Sequence, residues 1–262
     1  MHQYLFFIGN FPIRLYGIFF SLGIISGCIT AYFLLKKDMR GWESHMFDLG
    51  LVIAFAGIVG GRLWDVFFFD WEYYHNHLLE IPYIWQGGMA IQGGIIFACI
   101  AAYFYLKKHQ IPVLPFADTV TPGIILGQAI GRIANFMNGD AFGHPTGQDF
   151  GLLYPDTTLA YHTYGAQPLW PAEVWECQGD LLIFVLLLWY GCKTRAEGTT
   201  FCLYIMFYSL LRFFLENYRG DYGTLALGLK SAQLTSLAAF AGAFILFLYF
   251  HFKHKSKSGI SE

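Results

Sequence analysis

Four arginines sit where an apolar sequence should not hold them. Arg14, Arg62, Arg132 and Arg212 lie within or at the edge of long hydrophobic runs. A charge at bilayer depth costs roughly 2.5–3.5 kcal/mol on insertion scales, so an intramembrane cation is a functional suspect by default. Acids and amides accompany them. Asp65 follows Arg62 by one helical turn, Asn135 and Asn138 lie near Arg132 with Asp140 just beyond, and Glu216 follows Arg212 on the same helical face. Tyr16 is beside Arg14, Gln92 opens one apolar run, and Glu173 and Glu176 open another. Guanidinium groups stay ionised and grip phosphate through paired hydrogen bonds. Several of them in a low-dielectric cavity suit an anionic phospholipid headgroup. The competing reading is snorkelling and ion pairs that only fix helix packing, and for Arg62–Asp65 the two readings stand level. Acids alone do not account for so many donors around Arg132 and Arg212.

The elements that must position these residues are membrane helices. Of 262 residues, 56% are hydrophobic and 19% aromatic, and only 13% are charged. Mean hydropathy is +0.45. Soluble domains carry about a quarter charged residues, so a soluble globule, a disordered chain and a nucleic-acid binder are excluded. A membrane helix needs about 20 largely apolar residues. Seven segments qualify, at 13–35, 46–69, 88–106, 112–137, 174–191, 199–217 and 231–252. Pro115, Thr121, Pro122 and Gln128 predict a kinked or partly re-entrant fourth span. No repeat, linker or low-complexity stretch divides the chain, which reads as a single integral membrane domain over 1–262.

Orientation follows from the 16 lysines and arginines. Lys36, Lys37, Arg40, Lys107, Lys108, Lys193, Arg195, Lys253, Lys255 and Lys257 follow the first, third, fifth and seventh spans. The loops at 70–87 and 138–173 hold no Lys or Arg, and the 218–230 loop holds Arg219 and Lys230. Cytoplasmic loops carry the positive excess, so the N-terminus is expected outside and the C-terminus in the cytoplasm. Arg62, Arg132 and Arg212 then fall in the last thirds of outward-running spans. With Arg14 they gather toward the outer leaflet. Cys28, Cys99, Cys177, Cys192 and Cys202 lie scattered through apolar sequence with no metal-ligand spacing, and read as small buried hydrophobes. Ile25-Ser26-Gly27-Cys28 is like a lipobox, but the apolar run continues past it. It reads as the middle of a first membrane helix, not a cleaved signal.

One stretch is far more specific. Gly131-Arg132-Ile133-Ala134-Asn135-Phe136-Met137-Asn138-Gly139-Asp140-Ala141-Phe142-Gly143 closely resembles the signature of the prolipoprotein diacylglyceryl transferases, G-R-x-G/A-N-F-x-N-x-E-x-x-G. The resemblance covers nearly the whole chain. It includes Ile13-Arg14-Leu15-Tyr16-Gly17, Gly60-Gly61-Arg62-Leu63, Gly87-Gly88-Met89-Ala90-Ile91-Gln92-Gly93-Gly94 and the run from Arg212 through Glu216 to Arg219. Ser231-Ala232-Gln233-Leu234 and Ser236 fit the start of the last helix. The resemblance implies an all-α polytopic fold with seven spans in the bacterial cytoplasmic membrane, its site toward the outer leaflet. It implies transfer of the diacylglyceryl group of phosphatidylglycerol to the lipobox cysteine of a preprolipoprotein, giving a thioether and glycerol phosphate. No metal or cofactor is implied. Tyr16, Arg132, Asn135, Gly143, Arg212, Glu216 and Arg219 carry over as site residues, while Arg14 and Arg62 are further candidate phosphate contacts from their place in the outer arginine cluster.

The chain departs from that pattern in three places. Gln92 stands where many members have His, Asp140 replaces the signature Glu, and Trp170-Pro171-Ala172-Glu173-Val174-Trp175-Glu176 replaces H-P-S-Q-L-Y-E. An amide cannot take a thiol proton, so Asp140, His144 and Glu173 become candidate bases. The alternative from another class is a non-catalytic phospholipid-binding or transport protein on the same scaffold, for which the changes at Gln92 and Asp140 are the sequence argument.

Overall fold

A computed structural model describes residues 4–9, 11–191, 196–220, 224–226 and 228–258. Cys192, Lys193 and Arg195 lie outside these. The chain forms two compact units, residues 1–34 with 117–262 and residues 35–116. In chain order the elements are β1 (Tyr4–Ile8), β2 (Phe11–Arg14), α1 (Leu15–Lys37), α2 (Met46–Trp64), α3 (Trp71–Tyr74), α4 (Ile91–Lys108), α5 (Val113–Asn138), α6 (Leu159–Tyr164), α7 (Ala172–Gly191), α8 (Thr199–Leu215), β3 (Thr224–Ala226), β4 (Leu229–Lys230) and α9 (Ser231–Ser258).

Each of the seven expected segments is helical. Five helical segments are long and apolar enough to cross a membrane: Leu15–Lys37, Trp42–Phe69, Val113–Asn138, Thr199–Tyr218 and Ser231–Lys255. The two others are diluted, α4 by Gln92 and its terminal Lys107 and Lys108, α7 by Glu173, Glu176 and Asp180. Yet α7 keeps its polar side chains inside. Its three acids are fully buried, while Leu182, Val185 and Trp189 are 58–63% exposed. Phe33, Leu51, Phe55 and Ile245 likewise face outward on other helices. Apolar surface of this extent belongs against hydrocarbon.

One expectation needs correcting. The fourth span is one continuous helix through Pro122, neither broken nor re-entrant. Thr121 Oγ1 donates to the Ala117 carbonyl at 2.6 Å in this stretch, and hydroxyls of this kind re-satisfy backbone next to a proline. The fold is all-helical as expected, with two short antiparallel hairpins besides, β1–β2 and β3–β4. Both are too short for a hydropathy window to register.

In the first unit, α1 and α5 cross on glycines. A Cβ on Gly23 or Gly27 would stand 2.7 Å from the carbonyl oxygen of Gly127 or Gly123. Without side chains at these points the backbones touch, which is how membrane helices gain packing energy in the absence of a hydrophobic drive. Ile125, Ile183 and Leu187 are the buried centre joining α5, α7 and α8, with Leu203, Phe207 and Leu211 packed around them. Asp118 on α5 accepts from the amides of Gly198 (2.6 Å) and Phe201 (2.8 Å), capping the start of α8.

In the second unit, α2 packs on α4 through Gly60 and Gly93, where an added Cβ on either would strike the other's carbonyl. α2 runs on into a π-helical turn, Asp65–Phe69. Gly27→Val should force α1 off α5 and cost about 1–3 kcal/mol, the usual range for overpacking. A lower apparent melting temperature in detergent would show it, with Gly17→Val, which meets nothing within 4 Å among the described residues, as the neutral control.

Candidate active site

The site is built at the end of the first unit where α5 stops, α7 starts and α8 stops. Residues 139–171 connect α5 to α7 there, around a small core of Phe142, Tyr154, Ala160 and Leu169. Glu176, in the second turn of α7, is fully buried and is the common acceptor. Its Oε1 receives Arg132 Nη2 at 2.8 Å and the Tyr208 hydroxyl at 3.1 Å. Its Oε2 receives Arg212 Nη1 at 3.3 Å and Arg219 Nη1 at 3.5 Å. Arg212 turns its Nη2 to Glu216 Oε2 at 2.8 Å, one turn along the same helix. Arg219 Nε lies 4.0 Å from that oxygen. Glu216 is also fully buried.

Within this contact group three guanidiniums meet two carboxylates, leaving one positive charge in excess. Buried charge is tolerated only when paired, so the surplus makes the group a receptor for a monoanion. Arg132 and Arg212 keep 19% and 14% of their side-chain surface open, against 5% for Arg219. The first two are therefore the cations placed to meet a ligand, and Arg219 is the inner brace.

The signature extends outward from Arg132. Asn135 Oδ1 accepts from Arg132 Nη1 at 3.4 Å, and Asn135 Nδ2 donates to Asp140 Oδ1 at 2.5 Å. Asn138 Nδ2 donates to Asp140 Oδ2 at 2.8 Å. Both carboxylate oxygens of Asp140 are thus held by amides, which makes it an anchor for the asparagines. Asp140 and Arg132 are the charged groups acting on the Tyr16 hydroxyl, at the start of α1. Gly143 pairs with Arg219 in an isolated antiparallel bridge. A Cβ on Gly143 would collide with the carbonyl and Cβ of Trp170, so glycine there lets three strands of backbone converge. Arg14 and Asn138 line a cavity of about 280 Å³ with Tyr4, Thr157 and Leu159.

Two other candidate bases have local partners. His144 Nδ1 contacts the Pro145 carbonyl at 2.8 Å. Glu173 is fully buried and accepts from the Tyr154 hydroxyl. Burial, and then the Glu173 carboxylate beside it, push the Tyr154 hydroxyl far above the ordinary phenol range, so it remains a donor.

Arg62 and Gln92 belong to the second unit. Arg62 is 3% exposed and donates to the carbonyls of Ile81 (2.8 Å), Gly87 (2.7 Å), Gly88 (3.0 Å) and Glu80 (3.1 Å). Asp65 lies 3.9 Å from it, and the Tyr74 ring is 4.8 Å away. Arg62 therefore fastens residues 80–88 to the end of α2. Gln92 is exposed on the first turn of α4.

Sequence reasoning underrated three members. Glu176 reads in the sequence as an acid opening the fifth span, kept with Pro171 from the H-P-S-Q-L-Y-E motif, and nothing there marks it as the shared counter-ion. Tyr208 was not singled out, though it precedes Arg212 by four residues on one face. Lys230 was counted with a loop, but its Nζ donates to the carbonyls of Glu216 (2.9 Å) and Arg219 (2.5 Å), closing the end of α8.

Glu176→Gln keeps the shape but removes the charge that gathers three arginines. Breaking a buried ion pair from one side costs about 3–5 kcal/mol, so this variant should melt well below the parent in detergent. Arg219→Met, which removes the least exposed cation, should restore part of that loss. No recovery in the double variant would show that charge imbalance is not the cause.

Comparison with known proteins places nearly the whole chain in one family. The family model described as "Prolipoprotein diacylglyceryl transferase" matches residues 3–249. A Staphylococcus saprophyticus protein is 36% identical over 234 residues, 88% of this chain and 82% of its own length. A Clostridium botulinum protein is 35% identical over 238 residues, 90% of this chain and 92% of its own. One from Clostridium kluyveri is 35% identical over 245 residues, 93% and 94% of the two lengths. All three are named phosphatidylglycerol–prolipoprotein diacylglyceryl transferase. With a matching family model over nearly its whole length and relatives 35–36% identical over most of both chains, this chain belongs to the prolipoprotein diacylglyceryl transferase family.

Proposed function

We propose that this chain transfers the diacylglyceryl group of phosphatidylglycerol to the lipobox cysteine of preprolipoproteins, in the bacterial cytoplasmic membrane. The observation that carries this is the surplus positive charge of the buried Arg132–Arg212–Arg219 group, set in a family signature. The charge distribution of the loops supports seven crossings with the N-terminus outside, the C-terminus cytoplasmic and the site toward the outer leaflet.

The reaction is a displacement at carbon. The cysteine sulfur attacks the glyceryl carbon that bears the phosphate, the C–O bond breaks, and glycerol phosphate departs with the bonding electrons. The nucleophile comes with the substrate, so the enzyme has no need of its own serine or cysteine. One further negative charge develops on the leaving phosphate. Preorganised donors stabilise charge that grows at such a point without reorganising. Arg132 and Arg212 take that role, with Glu176 and Glu216 fixing their directions. Asn135 and Tyr16 orient the lipid, Asp140 and Gly143 hold the signature in shape, and Arg14 contacts the headgroup from the adjoining cavity. The thiol proton goes to a carboxylate or to the departing phosphate, which gains a basic oxygen as the bond breaks.

Purified protein incubated with phosphatidylglycerol and a lipobox peptide should yield a peptide heavier by one diacylglyceryl group, read by mass spectrometry. Lipid that binds but is never consumed, with an active family member alongside, would instead support the non-catalytic binding protein. Arg132→Ala and Arg212→Ala should each lower the rate by about 10²-fold or more, the scale of losing one preorganised donor. Full activity in either would refute its role.

A further inference from the structure

The cavity lined by Tyr4, Arg14, Asn138, Thr157 and Leu159 is joined to the arginine centre by the signature itself. Arg132 reaches outward along α5, since its Nη1 donates to Asn135 Oδ1. Asp140 then takes a hydrogen bond from Asn135 on one oxygen and from Asn138 on the other. Asn138 ends α5 and lies about 4.5 Å beyond Asn135 along the helix axis. A phosphate held on the open side of Arg132 therefore has the cavity a short step beyond it, within reach of the rest of a headgroup.

Both walls are held by contacts within the protein. Arg14 ends β2 opposite Tyr4 of β1, and the Tyr4 ring centre lies 5.9 Å from the guanidinium. Gly139 adopts φ +73°, and a Cβ there would stand 2.5 Å from Thr158. The Ala160 amide donates to the Gly139 carbonyl at 3.3 Å. Residues 157–159 are thereby pinned against the end of α5. The volume, about 280 Å³, is ample for a three-carbon polyol with water beside it.

The lining decides the chemistry. The Tyr4 and Thr157 hydroxyls and the Asn138 amide are groups that both donate and accept, whereas Arg14 only donates. A headgroup ending in an ammonium would set a second cation against Arg14. A headgroup ending in a second anion would meet Asp140 behind Asn138 and the exposed Asp156 beside Thr157. The single positive charge that the arginine centre has to spare is already taken by the phosphodiester. What fits is an uncharged group that both donates and accepts, which is a polyol.

We propose that this cavity is the subsite for the distal headgroup of the lipid, and that Thr157 and Arg14 select a headgroup ending in an uncharged polyol. Neither residue touches the carbon that reacts. They govern which lipid is held, not how its bond breaks. The inference rests on the function proposed above for the phosphate, and adds what reads the far end of the headgroup.

The test is binding of three lipids to the full-length protein in one detergent, by calorimetry. Dihexanoyl phosphatidylglycerol carries the polyol. Dihexanoyl phosphatidylpropanol is the same monoanionic phosphodiester without the headgroup hydroxyls, and dihexanoyl phosphatidylethanolamine ends in an ammonium. Thr157→Val removes one hydroxyl from an exposed position. It should shrink the preference for phosphatidylglycerol over phosphatidylpropanol by about threefold to tenfold, the range for one hydrogen bond. The loss should fall on phosphatidylglycerol, with phosphatidylpropanol bound as in the parent. Thr157→Ala serves if the valine variant does not fold. Arg14→Gln should narrow the preference for phosphatidylglycerol over phosphatidylethanolamine by about threefold or more. A parent that binds phosphatidylglycerol no better than phosphatidylpropanol overturns the proposal. So does a Thr157 variant that weakens both lipids equally, which is the mark of a merely structural role, or an Arg14→Gln ratio equal to the parent's. Protein that transfers diacylglyceryl from phosphatidylglycerol but fails these comparisons refutes this proposal alone. Protein that neither binds phosphatidylglycerol nor transfers from it refutes the function itself.

Discussion

Glu176, a carboxylate with no exposure inside a membrane protein, depends on the three cations that meet it. That requirement organises the first unit. It brings the end of α5, the start of α7 and the end of α8 to one point, because their arginines must reach one pair of oxygens. It also sets the pairing of Gly143 with Arg219, since Arg219 reaches Glu176 from the strand that this bridge holds. Asp118, capping α8 from α5, keeps the far ends of these two helices in the same register.

The solvent of the outer surface explains the rest of the architecture. α7 turns its acids inward and its Leu, Val and Trp residues outward, the reverse of a soluble helix. Lipid offers no hydrophobic gain for helix association, so the contacts fall to glycine against backbone in both units. The polar groups add direction to that packing. In the second unit Arg62 spends its donors on four carbonyls, which turns a buried charge into a clasp for residues 80–88.

Opposite demands meet in the arginine centre. A site that binds an anion needs surplus positive charge, while a stable membrane interior needs neutrality. Two carboxylates locked to three guanidiniums pair most of the buried charge and leave one positive charge for the anion.

Much of this was legible in the residues themselves. Helix positions followed from apolar runs, since burial in hydrocarbon demands about 20 such residues whatever the packing. The suspect arginines followed from the cost of their placement, and the pairing of Arg212 with Glu216 from helical periodicity. The family followed from the signature around Arg132. What pattern could not supply was the partner across helices. Glu176 is 44 residues from Arg132 and 36 from Arg212 in sequence, and no periodicity links them. Likewise Arg62 and Arg132 look alike in sequence, an arginine in an apolar run. Only the fold gives the first to backbone carbonyls and the second to a shared carboxylate. Local spacing fixes which side chains share a helical face, but the meeting of faces depends on packing the whole chain. A buried charge takes its role from whatever that packing sets opposite it.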